Sequence, residues 1–308
     1  MRLRLMLLTA AFLCLSVQAR AESLLLDGLK AEVWPPAAIN GRQPVILFSH
    51  GFHGCATQST FLMKALAAHG YWVFAANHHD AVCNGGESRM RDRPDSPFRK
   101  PETWDDASYR DRADDIRRLI AALKQDTRYR DRLDWTRLGL AGHSLGGYTV
   151  LALSGAWPSW KLEGVKAVLA LSPYAQPFIV KPSLAGLTAP VMYQGGSRDP
   201  GVTPSIRKNS GAYELSPAPK YYVEFEGASH FAWSDRGELA QPQIVDYSVA
   251  FFDHYLKGLQ TPALTVREDG VSDLRYNSEL GKQEGSVKPE EPEHRPGLLG
   301  RLRARLQH

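Results

Sequence analysis

Apolar residues in this chain gather into short unbroken runs, and amphipathic stretches separate the runs. Pro44-Val45-Ile46-Leu47-Phe48-Ser49 and Tyr71-Trp72-Val73-Phe74-Ala75-Ala76 are continuous, as expected of strands covered on both faces. Similar runs lie at 138–141, 165–171, 190–194 and 220–225. Residues 29–34 alternate instead, which predicts an edge strand stopping at Pro35-Pro36. Helical spacing shows over 58–69 (Phe61, Leu62, Ala65, Leu66), over 105–126 (Ile116, Leu119, Ile120, Leu123) and over 243–259 (Val245, Val249, Phe252, Tyr255). Strands and helices alternating in this way predict an α/β fold, a mostly parallel sheet with helices on both faces. Residues 77–104 are polar and rich in Arg, Asp, Pro and Gly, a long loop expected to shape a substrate rim. The domain is expected to run from 22 to 270. A polar, disordered extension should follow over 271–308, ending in a frayed basic segment at 298–306.

The first 21 residues have a different character. Arg2 and Arg4 precede an apolar run reaching Val17, and Ala19-Arg20-Ala21 offers small residues two apart. This pattern predicts a secretory signal peptide over 1–21, hence an exported protein, periplasmic or secreted. The run is too short for a comfortable membrane span, so no stable membrane anchor is expected. Export also changes the charge balance. The chain carries 37 Lys and Arg against 33 Asp and Glu; losing Arg2, Arg4 and Arg20 leaves 34 against 33. With no basic patch interleaved with aromatics, no nucleic-acid partner is expected. Cys14 leaves with the leader, and the remaining pair, Cys55 and Cys83, is expected to form a disulfide in an oxidising compartment.

The densest chemical signal is Gly142-His143-Ser144-Leu145-Gly146, which follows an apolar run and precedes helix-forming residues. A strand, tight turn and helix in that order would push the Ser144 hydroxyl out of the sheet and set the Leu145 amide at a helix N-terminus. A serine needs a base, and the base needs an orienting group. In a parallel sheet both should follow later strand ends. Asp199 follows the 190–194 run, and His230 follows the 220–225 run. Asp80, Glu226 and Asp235 compete as the acid but lack that place in the strand order. A second oxyanion donor should come from the loop after the 44–49 run, through the Phe52 amide beside that of Leu145. Phe52, His53 and Tyr174 are candidate substrate-binding residues, with Phe52 and Tyr174 on opposite walls. His50 should support the oxyanion loop, and His143 should sit behind the nucleophile turn. His78-His79-Asp80 looks metal-like, yet adjacent residues in an extended segment point apart, and no metal site is expected.

These pieces resemble the α/β-hydrolase superfamily. More narrowly the chain is similar to the branch holding dienelactone hydrolases, platelet-activating-factor acetylhydrolases and bacterial cutinase or polyester-hydrolase-like proteins. The likeness rests on Ser49-His50-Gly51-Phe52, on 67–73, on 142–147, on Gly196 with Asp199, and on Gly227-Ala228-Ser229-His230-Phe231. It implies Ser144 as nucleophile, His230 as general base and acid, Asp199 as its orienter, and Phe52 and Leu145 as amide donors. Ser144 stands where some dienelactone hydrolases carry Cys, and Tyr174 where a cutinase-like clamp often carries Trp. The short segment from Tyr174 to Pro190 leaves no room for a large lid. The expectation is an exported serine carboxylester hydrolase, without a cofactor, acting on a small-molecule or polymeric ester. An amide hydrolase with the same residues and a noncatalytic binding protein on this fold are the alternatives.

Overall fold

Ten strands form a single sheet among the residues that the computed structural model describes, 21–84 and 97–284. In chain order they are β1 (Glu22–Leu26), β2 (Leu29–Trp34), β3 (Gln43–Ser49), β4 (Trp72–Ala76), β5 (Leu133–His143), β6 (Val165–Leu171), β7 (Val191–Gly196), β8 (Lys220–Phe225), β9 (Val271–Ser278) and β10 (Gly281–Gln283). The helices are α1 (Thr60–Ala68), α2 (Arg110–Gln125), α3 (Leu145–Leu151), three short ones, α4 (Gln176–Val180), α5 (Thr203–Arg207) and α6 (Ala212–Leu215), and α7 (Gln241–Lys257). The spatial order is β1-β2-β4-β3-β5-β6-β7-β8-β9-β10. The six strands from β4 to β8 in that order run parallel, with antiparallel strands added at each edge. This is the α/β-hydrolase arrangement.

Side-chain alternation divides the core in two. Val45 and Leu47 of β3 face one cluster, with Ile116 and Leu119 of α2 and Tyr148 and Leu151 of α3. Ile46 and Phe48 face the other, with Leu62 and Leu66 of α1 and Phe251 and Phe252 of α7. Both faces of the strand are therefore buried, which is why its sequence is unbroken rather than alternating. From β3 the chain passes through α1 to β4 on one side. It then crosses through α2 to β5 on the other side of β3. The order reverses at β3, and the loops leaving β3 and β5 part there, opening a crevice at the strand ends.

Both edges correct the sequence reading. The 29–34 strand is not the edge, because β1 pairs outside it and buries Leu24 and Leu26. Asp27 and Gly28 join the two at φ 49° and 75°, the left-handed pair of a tight hairpin. The domain also does not end at 270, since β9 pairs antiparallel with β8 and buries Val271 and Leu274. A bulge opposite Glu224 and Phe225 leaves Ser272 outside the pairing, so two residues three apart reach the same core. The expected leader (apart from Ala21), residues 85–96 of the polar loop, and residues 285–308 with the basic segment lie outside the described residues. If β9 belongs to the fold in this way, Leu274→Ala should cost about 2–5 kcal/mol. Denaturant unfolding monitored by circular dichroism would measure it.

Candidate active site

Strand β5 ends at His143, and Ser144 turns the chain into α3 at φ 55°, ψ −115°. A side chain at the neighbouring glycines would block that turn. A β-carbon at Gly142 would lie 2.2 Å from the Gly146 carbonyl oxygen, and one at Gly146 would lie 1.9 Å from that of Ser49. Ser144 is held by its own backbone: its amide donates to the Leu171 carbonyl at 3.0 Å. Its carbonyl accepts from the amides of Tyr148 and Tyr174, at 3.1 and 3.0 Å. A non-glycine residue stays in this region only when its surroundings over-determine it.

Asp199 stands three residues beyond β7 and His230 five beyond β8, so both rise from strand ends beside Ser144. His230 Nε2 is 2.9 Å from Ser144 Oγ, and its Nδ1 is 2.9 Å from Asp199 Oδ2. Ser172, just past β6, adds a contact that the sequence did not reveal. Its hydroxyl donates to Asp199 Oδ2 and lies 3.0 Å from His230 Nδ1. Asp199 is almost wholly buried, which pushes its carboxyl up. Hydrogen bonds from His230 and Ser172, with the nearby imidazoles, outweigh burial and hold it below the usual range. His143 sits behind this row. It accepts from the Gln58 side-chain amide at Nδ1 and donates from Nε2 to the His230 carbonyl at 2.8 Å. The rival acids are engaged elsewhere. Asp80 pairs with Arg112, and Asp235 accepts the Phe61 amide.

The loop after β3 brings Phe52 to the same place. The amides of Phe52 and Leu145 make no hydrogen bond to the described residues, and that of Leu145 belongs to a helix first turn, where amides lack partners along the helix. A cleft of about 910 Å³ opens over them, lined by Phe52, His53, Ser144, Tyr174, His230 and Phe231 among others. Phe98 joins the two expected aromatic residues, Phe52 and Tyr174. Its ring meets Phe52 edge-on at 5.5 Å and Tyr174 at 4.9 Å, and its carbonyl accepts the Tyr174 hydroxyl at 2.7 Å. The three rings thus form one continuous wall. The His53 ring lies tilted against that of Phe52, with centroids 3.9 Å apart, and borders the cleft. Cys55 and Cys83 are bonded, with Cα atoms 5.8 Å apart, tying the loop after β3 to the turn after β4.

A family profile described as PET hydrolase-like matches residues 23–260. The chain belongs to the PET hydrolase-like family. It is 26% identical over 218 residues to the cutinase est2 of Thermobifida alba, covering 70% of this chain and 61% of that protein. It is 25% identical over 241 residues to est1 of the same organism, covering 78% and 69%. A bis(hydroxyethyl) terephthalate hydrolase of Streptomyces coelicolor is 23% identical over 250 residues, covering 76% and 67%. The chain thus spans about three-fifths of the est2 length.

In this family member, three imidazoles are sealed under the site. Burial, with neighbouring positive groups, holds His50 and His78 well below their ordinary value. Burial and the adjacent His230 ring lower His143 to about 3. All three are neutral in the fold, whereas the unfolded chain protonates them below about pH 6.5. Stability they contribute above that pH is lost as the pH falls. Asp115, which faces His78 and is raised by burial to about 6, acts in the opposite sense. Three groups outweigh one. The unfolding free energy should fall by a few kcal/mol from pH 7 to pH 5, on the order of 1.4 kcal/mol per pH unit for each histidine. Urea unfolding across that range checks it, and His143→Gln should flatten the slope.

Proposed function

We propose that the protein is an exported serine carboxylester hydrolase working through an acyl-enzyme. The observation that carries this reading is the unbroken row from Ser144 Oγ through His230 to Asp199, with both joining contacts at 2.9 Å. Ser144 Oγ attacks the ester carbonyl while His230 Nε2 removes its proton. Asp199, held in turn by Ser172, keeps the imidazole proton on Nδ1 and stabilises the imidazolium. The Phe52 and Leu145 amides receive the oxygen that becomes negative as the carbonyl turns tetrahedral. His230 then protonates the departing alcohol. A water activated by the same imidazole frees the acid and restores Ser144.

The names of the relatives support an ester substrate. The wall of Phe52, Phe98 and Tyr174 suits a flat or apolar acyl group, whether on a small ester or at a polymer chain end. Export draws its support from the charged and apolar N-terminal pattern and from the Cys55–Cys83 bond.

Ser144→Ala should lower turnover on p-nitrophenyl and aromatic esters by at least about a thousandfold while the protein stays folded. A panel of esters of rising acyl length, with amides beside them, would measure this. Hydrolysis surviving in the variant, or faster cleavage of amides, would sink the reading. Ser172→Ala removes one of the donors to Asp199, so it should reduce kcat by roughly tenfold and leave KM nearly unchanged. Steady-state kinetics on one ester suffices to check it.

A further inference from the structure

Under the loop that follows β3 lies a charged cluster that has no part in the row just described. Arg112 of α2 is completely buried. A buried guanidinium is costly unless its donors are matched, so its position calls for a cause. Its Nη2 reaches both carboxylate oxygens of Asp80, at 2.9 and 2.7 Å. Burial pushes the Asp80 carboxyl up, but the Arg112 charge, the His50 ring and the paired hydrogen bonds outweigh it and hold the group ionised. The same guanidinium reaches backbone, although its Nε has no partner among the described residues. Arg112 Nη1 bonds the His50 carbonyl at 2.8 Å and Nη2 the Gly51 carbonyl at 3.3 Å. Asp80 accepts the His53 amide at 3.3 Å. One ion pair therefore grips the peptide units on either side of Phe52.

The Gly51 carbonyl is the decisive contact. Besides Arg112 it accepts from the Gly54 amide at 2.9 Å and from His50 Nδ1 at 2.7 Å. The proton is on Nδ1, because Nε2 of that ring takes the His78 amide at 3.0 Å. In a planar trans peptide the carbonyl and the next N–H point in opposite directions. Anchoring the Gly51 oxygen toward Arg112 therefore turns the Phe52 N–H the other way. Gly51 lies against the nucleophile turn, where a β-carbon on it would be 3.4 Å from Ser144 Cβ. A cation bonded to that carbonyl also polarises the peptide and makes its N–H a stronger donor.

We propose that the Arg112–Asp80 pair is a positioning device that aims the Phe52 amide at the developing oxyanion. The proposal rests on the ester-hydrolase reading above. If it holds, Asp80→Asn and Arg112→Lys should each lose about ten- to a hundredfold in kcat with KM within about twofold. Affinity for phenylboronic acid, which binds a serine as a tetrahedral anion, should fall by a similar factor. A purely structural role would lower the melting temperature and leave boronate affinity tracking KM. Arg112→Lys keeps the buried charge balanced, so it serves if Asp80→Asn does not fold. Folded variants with unchanged kcat and boronate affinity would overturn the proposal, and so would kcat and KM shifting together. Retained hydrolysis in Ser144→Ala, run alongside, would overturn both readings; its loss, with Asp80 and Arg112 variants fully active, would remove only this one.

Discussion

The Gly146 Cα approaches the Ser49 carbonyl so closely that a single added methyl would overlap it at 1.9 Å. Everything at the site follows from that approach. It lets the first turn of α3 pass beside the end of β3, and so the turn after β5 and the loop after β3 share one small space. Ser144 accepts an unusual backbone conformation as a result, at a cost of roughly 1–3 kcal/mol. Three backbone hydrogen bonds and a buried helix offset it. Pro173 also packs closely against Gly147, 2.5 Å from where a β-carbon would lie, which brings the segment carrying Ser172 and Tyr174 to the same point.

The interior of the sheet was legible because burial on both faces leaves an unmistakable trace in the sequence. Six parallel strands produce unbroken apolar runs, and chain order then fixes which strand ends meet. The edges were illegible for opposite reasons. At β1 a hairpin signal, Asp27-Gly28, is present, but the three leucines before it, Leu24-Leu25-Leu26, show no alternation. At β9 the bulge at Ser272 breaks the two-residue rhythm, so Val271 and Leu274 do not read as one face. No scan for alternation would have recovered it.

At the site, chain order singled out Ser144, Asp199 and His230, and the structure places their side chains in contact. Ser172, Phe98 and Arg112 escaped notice. Ser172 follows a strand whose signal is its apolar run alone, and Phe98 lies in a segment dominated by charge. Arg112 left a fainter trace, since it stands four residues before Ile116 and therefore on the apolar stripe of α2. A cation on that stripe must find an anion under the sheet edge. Asp80, by sequence a rival acid for the histidine, is that anion.

Tyr174 shows how unevenly this cleft can tolerate redesign. Its amide bonds the Ser144 carbonyl and its hydroxyl bonds Phe98, so backbone and side chain are both committed. Remodelling there would disturb Ser144 together with the aromatic rings that border the cleft. Phe231, by contrast, borders the same cleft and is largely open to solvent. Selectivity in such a scaffold would drift most freely by exchange at that rim position, while the tyrosine stays locked to Ser144.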